Sequence, residues 1–247
     1  MVATSDRTSL NQRWVTDDTR ILGQIFAAVE AASCPRTYNF HMHTVCSDGK
    51  LTPAALMEQV IEVGLRAFAI TDHHSTTGFY QAKAWLEDWH WRHPTSFKRG
   101  QSQDGLVGQT PRLFTGVEIT AILAATEVHL LGYGFAPRHE AMQPYLQGHA
   151  ARGDLKSAAA VITAIQSAGG LAVLAHPARY RLSAEALITA GVDLGLDGVE
   201  AYYAYANPET WAPCPRQTPI VQDLAHQYGL LTTCGTDTHG MNLLRRL

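Results

Sequence analysis

TYNFHMHTVCSDGKLTPAALMEQVIEVG, residues 37–64, followed by RAFAIT at 66–71, is the stretch from which the fold class is read. TYNFHMH (37–43) reads as a first strand. LTPAALMEQVIEVG (51–64) reads as a helix, with Thr52 as N-cap, Pro53 at the first helical position, Leu56, Val60 and Val63 along one stripe, and Gly64 as the stop. RAFAIT is the next strand, so the chain begins with a strand, helix, strand unit.

The order continues outward. A helical stretch runs through Ala84 and Trp89, and a polar excursion with Gly and Pro covers 90–112. LFTGVEIT (113–120) and EVHLLGYGF (127–135) are two strands in succession. Asp154 is the expected cap of a helix over DLKSAAAVITAIQSAGG, which Gly169 and Gly170 end, and LAVLAHP (171–177) is a buried strand stopped by proline. A short helix over Ser183–Ala190, the strand GVEAY (198–202), a helix opened by Thr218 and Pro219 and ended at Gly229, and LLTTCGTDTHG (230–240) complete the series. This alternation predicts an α/β domain of parallel strands with right-handed crossovers, as a barrel or a doubly wound sheet. Residues 1–36 precede the pattern as an N-terminal extension whose helix, Ile21–Ala32, is expected to pack on the outside, and 37–247 form the single main domain.

Composition narrows the function. The chain has 247 residues, 46% hydrophobic and 17% charged, which fits a globular protein and excludes disorder, collagen and coiled coil. A net charge of -3 gives no overall basic field for nucleic acid or anionic membrane, so a polyanion must be held locally. No apolar run reaches the length of a membrane span. Cys34, Cys46, Cys214 and Cys234 form no C-x-x-C pair and the first residues lack a signal-peptide core, so reduced thiols in a cytoplasm are expected. The 12 His are the unusual number.

Their positions carry the argument. His41, His43, His73, Glu118, His176, Glu200, Asp237 and His239 each fall at or just past the C-terminal end of a predicted strand, where barrels and open α/β sheets place their sites. His129 falls inside a strand. Residues two apart on a strand share a face, so His41 with His43, and Asp237 with His239, have chelating spacing. Taken singly, each has a plain structural reading: Asp72 can cap the next helix or orient a ligand imidazole, and Glu200 can orient water or substrate or serve the core. Taken together they put about six imidazoles and several carboxylates at one end of one domain, which is costly to bury without a cation.

HMHTVCSDG (41–49), AITDHHSTTG (69–78), AHP (175–177) and GTDTH (235–239), in that order, resemble the four motifs of the PHP (polymerase and histidinol phosphatase) metal-dependent phosphoesterases. The similarity runs from Tyr38 to His239. It implies a distorted (β/α)7 barrel with the metal site at the C-terminal ends of its strands, binding two or three divalent metal ions such as Mn, Fe or Zn. By resemblance, His41, His43, Glu118 and Asp237 hold one ion, Glu118 bridges to a second held by His129 and His176, and Asp48, His73 and His239 hold a third. Carboxylate and imidazole donors without thiolate suit these metals, and Cys46 is a bystander.

The implied reaction is hydrolysis of phosphate monoesters by a metal-bridging hydroxide, with Glu118, Asp237 and His239 catalytic and Arg179 and Glu200 binding substrate. AHPARY resembles a stretch of the subgroup that acts on nucleoside 3',5'-bisphosphates and short oligonucleotides, so the expected partner is a small phosphorylated substrate, a nucleotide or short RNA. Arg152 and Arg181 read as solvated surface. His74 stands where the family more often has Asp, and residues 136–170 are shorter than the helical insert usual in that subgroup. The 90–112 excursion could serve instead as a lid, and Trp85 and Trp89 read as packing rather than a base platform. Histidinol-phosphate hydrolysis, a non-catalytic regulatory metal domain and amidohydrolase-type C–N hydrolysis are the alternatives. The last usually requires a carboxylated Lys at a strand end, and Lys50, Lys83, Lys98 and Lys156 do not fit.

Overall fold

The computed structural model describes residues 16–93 and 110–247. Most of the proposed lid, and residues 1–15, lie outside the described residues. The first strand, β1 (Tyr38–Asn39), is short and is followed by α2 (Pro53–Val63), while α1 (Asp17–Ala28) precedes both. The α2 boundaries follow the sequence reading: Thr52 Oγ1 accepts from Ala55 N, Pro53 opens the helix and Gly64 closes it in the left-handed conformation. Next come β2 (Ala67–Ala69), α3 (Thr77–Arg92), β3 (Arg112–Phe114), β4 (Gly116–Leu123) and β5 (Thr126–Tyr133). The chain ends with α4 (Ala158–Ser167), β6 (Leu171–Leu174), α5 (Ala184–Asp193), β7 (Gly198–Tyr202), α6 (Gln217–Tyr228) and β8 (Leu231–Cys234).

The architecture is α/β. Strands β1-β2-β3 form one parallel sheet and β4-β5-β6-β7-β8 a second. The expectation of parallel strands throughout is corrected at β5, which runs antiparallel to both β4 and β6. The cause is a two-residue hairpin at Ala124 and Ala125, both at positive φ (47° and 58°), the conformation in which a tight turn matches the twist of its strands. The two ladders do not merge into one continuous hydrogen-bonded ring. They are joined by single bridges, Met42 with Thr238 and His73 with Glu118.

Two further boundaries differ from the sequence reading. Ser157, not Asp154, caps α4, because its Oγ accepts from Ala160 N while Asp154 lies in a preceding 3-10 turn. Thr218 sits inside α6 and donates its hydroxyl to Ala201 O. The main core gathers β4 to β8 with α1, α4, α5 and α6. Helix α1 belongs to it: Leu22 and Phe26 are wholly buried, and the Phe26 ring meets Phe40 edge-on at 4.9 Å and Tyr133 at 5.4 Å. A second core, built on Leu56, Met57, Val60, Phe68 and Ala82, holds α2 and α3. Both cores pack against the strand segments that carry His41 and His43, so the residues above them are rigidly based.

Candidate metal centre

The backbone leaves little freedom at the first motif. His41 and His43 follow β1, and the segment after β8 crosses beside them, with Asp237 N donating to His41 O (2.7 Å) and His43 N to Thr238 O (3.0 Å). Gly235 is required by this crossing, since a Cβ there would collide with the His41 side chain. Gly49 is required for the same reason in the turn of the first motif, where a Cβ would lie 2.5 Å from His43 O. His176 (φ 29°) and Asp237 (φ 52°) adopt positive φ, which is uncommon outside glycine although Asp and His tolerate it better than most residues.

Glu118 is the centre of the cluster. Its Oε2 lies 3.0 Å from both His41 Nε2 and His43 Nε2 and 3.6 Å from His73 Nε2. Its Oε1 lies 2.7 Å from His129 Nδ1 and 3.3 Å from His176 Nε2. His129 reaches it because β5 is antiparallel: Thr120 pairs with His129, so Glu118 two residues away is its diagonal neighbour on the same face. Asp237 Oδ1 lies 3.4 Å from His41 Nε2 and 3.3 Å from His43 Nε2. At the mouth, Asp48 Oδ2 is 3.1 Å from His239 Nε2 and 3.7 Å from His73 Nε2.

Among the described residues, three groups of donors have all their ligand atoms within 4.8 Å of one another: His41, His43, Glu118 and Asp237; His43, Asp48, His73 and His239; and His73, Glu118 and His129. The first coincides with the expected first set. The second adds His43 to the expected third set, through its other nitrogen. In the remaining group His73 stands where His176 was expected, and His176 approaches Glu118 alone. Cys46 is in none of the groups.

The donor set fits metal ions. His43 is fully buried, and neither of its ring nitrogens makes a hydrogen bond, although Nε2 lies 3.0 Å from Glu118 Oε2; the nitrogen is close to the carboxylates without donating to either. A buried imidazole with no hydrogen-bond partner, set beside two carboxylates, suits the role of a metal ligand. Tautomers are set to match. His41 Nδ1 is 2.9 Å from Glu200 Oε1 and His239 Nδ1 donates to Asp237 O at 2.8 Å, which leaves each Nε2 directed at the cluster.

Electrostatics reflect how closely the buried carboxylates and imidazoles are packed. Burial disfavours charge on Glu118, yet His41, His129 and His176 outweigh it and hold the carboxyl well below its ordinary range. Burial likewise opposes charge on Asp237, and His41 and His43 overcome it. Burial lowers the His43 imidazole, but its contacts with Asp237 and Glu118 lift it to about 9. His73, by contrast, is taken down to about 4, first by burial and then by the neighbouring imidazoles.

Glu200 does not face the cleft. It is fully buried, Oε1 engages His41 Nδ1 and Oε2 accepts from His176 N at 2.9 Å, so the expected contact with substrate gives way to holding an imidazole from behind. Asp72 neither caps α3 nor touches an imidazole. Its Oδ1 accepts from Thr44 N (2.7 Å) and Ser47 Oγ (2.8 Å) and its Oδ2 from Thr44 Oγ1 (2.7 Å), which pins the loop carrying Asp48. His74 is buried beside Thr120, 3.1 Å from its Oγ1, and joins none of the donor groups. Arg152 and Arg181 are exposed.

The cleft has a volume of about 280 Å³, and its lining includes Asp48, His73, His239, Arg179, Tyr180 and Arg246. Arg179 is therefore at the cleft, as expected. Sequence reasoning missed Arg246 and Tyr203, which meet Asp237 Oδ2 at 2.7 Å and 2.6 Å, and Tyr180, whose hydroxyl accepts from His129 N at 2.8 Å. The Arg-Tyr pair after Ala-His-Pro was the available signal for Tyr180; none existed for the other two. All four cysteines are free thiols, and no helix among the described residues is long and apolar enough to cross a membrane.

Residues 39–167 match the PHP domain family. The chain is 25% identical to the 5'-3' exoribonuclease Rnm of Salmonella typhimurium, over 86% of this chain and 88% of that one. It is 26% identical to the 5'-3' exoribonuclease Rnm of Escherichia coli, over 82% and 85%. Among solved structures, a chain of Bifidobacterium adolescentis provisionally assigned as a metal-dependent phosphoesterase superposes with a TM-score of 0.61 at 24% identity, covering 85% of this chain and 93% of that one. An amidohydrolase of Chromobacterium violaceum, with bound sulfate and no metal, superposes at 0.63 and 20% identity, covering 83% and 88%. These two likenesses speak to the fold. The donor groups, the motif order and the family match over half the chain lead to one conclusion: the chain belongs to the PHP domain family and is a metal-dependent phosphoesterase.

Proposed function

We propose that this protein hydrolyses phosphate esters of nucleotides, nucleoside 3',5'-bisphosphates and short 5'-phosphorylated RNA foremost, at the mouth of a distorted β/α barrel that holds two or three divalent ions. The observation that carries the reading is the meeting of the oxygen and nitrogen donor groups with Arg179 in one cleft. The relatives named as 5'-3' exoribonucleases extend over most of both chains, which favours nucleotide or RNA substrates over histidinol phosphate. The single bridges at Met42 and His73 support a barrel closed by seams rather than full ladders.

His41, His43, Glu118 and Asp237 would hold one ion, Glu118, His129 and His176 a second with His73 in reach, and Asp48, His73 and His239 a third. Bound there, divalent cations of the Mn, Fe or Zn type supply Lewis-acid stabilisation of phosphoryl oxygens and water that ionises near neutral pH. The chain's residues do the remainder. Glu118 and Asp237 keep their negative charge at neutral pH, Glu200 keeps His41 Nε2 turned toward the cluster, and His239 places its Nε2 beside Asp48 at the mouth. Arg179 binds the substrate phosphate with a planar fork suited to its oxygens. No lysine lines the cleft, and Lys156 is engaged with Glu127 at 2.7 Å, so a lysine-bridged amidohydrolase centre has no residue here among those described.

The test is phosphate release from adenosine 3',5'-bisphosphate and histidinol phosphate, and mononucleotide release from a 5'-phosphorylated oligoribonucleotide, by metal-stripped protein reloaded with Mn. The nucleotide substrates should be turned over, and His41→Ala with Asp237→Ala should abolish the reaction. Turnover of histidinol phosphate alone would reject the nucleotide reading.

A further inference from the structure

The C-terminal segment returns to the cleft. Leu243 is fully buried in the second core, its carbonyl accepts from Asn39 Nδ2 and Thr238 Oγ1 (both 3.2 Å), and its N–H donates to Gln59 Oε1 at 2.9 Å. The Arg246 carbonyl then accepts from His239 N (2.6 Å) and Gly240 N (3.1 Å), which closes the loop on the last motif. This anchoring delivers the Arg246 side chain to the cleft wall facing the same carboxylate as Arg179. Asp237 Oδ2 accepts from Arg246 Nε at 2.7 Å, Arg179 Nη1 at 3.1 Å and Tyr203 OH at 2.6 Å.

Two guanidinium groups share one carboxylate, and the other oxygen of that carboxylate, Oδ1, faces His41 and His43 in the first donor group. Arg246 approaches with its Nε edge, and its side chain keeps some exposure at the cleft. Arg179 and Arg246 line the same cleft as the donors His73, Glu118, His129, Asp237 and His239, so the anion both can face is one held at those donors rather than a remote one.

We propose that Arg246 is a second substrate-binding arginine, forming with Arg179 a two-sided clamp on the scissile phosphate while its Nε holds Asp237 in place. This rests on the phosphoester reading above. The clamp discriminates for phosphate oxygens because two planar forks converge on one anion.

The experiment uses the full chain loaded with Mn, with metal content measured in every sample. Inorganic phosphate is titrated calorimetrically into wild type, Arg246→Ala and Arg246→Lys, and kcat and KM are measured on adenosine 3',5'-bisphosphate. Loss of one charge-assisted contact predicts about tenfold or greater weakening of phosphate binding in Arg246→Ala at matched metal content, a similar rise in KM, and an intermediate value for Arg246→Lys. Undiminished phosphate affinity in the alanine variant, or in the lysine variant if alanine fails to fold, overturns the clamp. So does a loss that vanishes once metal content is matched. If wild type turns over no phosphoester, the activity reading fails while the phosphate titration still decides the clamp.

Discussion

Glu200 holds His41 from behind: Oε1 lies 2.9 Å from Nδ1, both side chains are fully buried, and the opposite nitrogen faces Glu118 at 3.0 Å. The carboxylate fixes both the tautomer and the ring orientation of a metal-capable imidazole. Glu200→Gln, which keeps the shape and removes the charge, should weaken metal affinity by about tenfold to a hundredfold. Chelator competition on folded protein checks this, and wild-type affinity would contradict it.

Acidity of the metal-stripped protein follows from His43, lifted to about 9. A group whose folded pKa stands above its unfolded value of about 6.5 contributes stability that is fully present below 6.5 and is lost as pH rises through 9. The melting temperature of stripped protein should therefore fall between these limits. Ligation requires neutral imidazole, so metal loading at pH 7 should release protons, detectable by calorimetry in buffers of differing ionisation enthalpy. A stripped protein that gains stability over this range would contradict the assignment.

Asp72 pins the loop of the first motif through three accepted hydrogen bonds. Asp72→Ala strands buried donors and should destabilise the fold by about 2–3 kcal/mol, measured by urea unfolding. Because the same loop carries Asp48, the variant should also retain less metal. A change below about 0.5 kcal/mol would place the loop's order elsewhere.

Phe26 links α1 to the base of the strands. Phe26→Ala should remove about 3–5 kcal/mol by opening a cavity between Phe40 and Tyr133. Metal stoichiometry of the folded fraction should be unchanged, because the ring packs on Phe40 and Tyr133, neither of which is a donor.

Which parts were legible in the sequence follows from how each residue reaches the cleft. His41 and His43 were readable because i, i+2 spacing at a strand end needs only local geometry, and the helix over Pro53–Val63 because Thr52, Pro53 and Gly64 act within one turn. The direction of β5 was not, because its turn is Ala124-Ala125, with none of the Gly or Asn that usually marks positive φ. Glu200 read as a cleft residue because strand-end position does not say which way a side chain faces. Arg246 and Tyr203 were invisible because they meet Asp237 through long-range return of the chain, and no periodicity encodes such a meeting. Asp72 looked like a helix cap because the hydroxyls it binds, on Thr44 and Ser47, lie one motif earlier in the chain.

The most direct measurement is phosphate release from adenosine 3',5'-bisphosphate as stripped protein is titrated with Mn, beside Glu118→Gln, with bound metal counted at each point. The account predicts release that rises with occupancy of the donor groups and is lost in the Glu118 variant, whose carboxylate meets five imidazoles. Release that is independent of metal, or that survives Glu118→Gln at full rate, would contradict it.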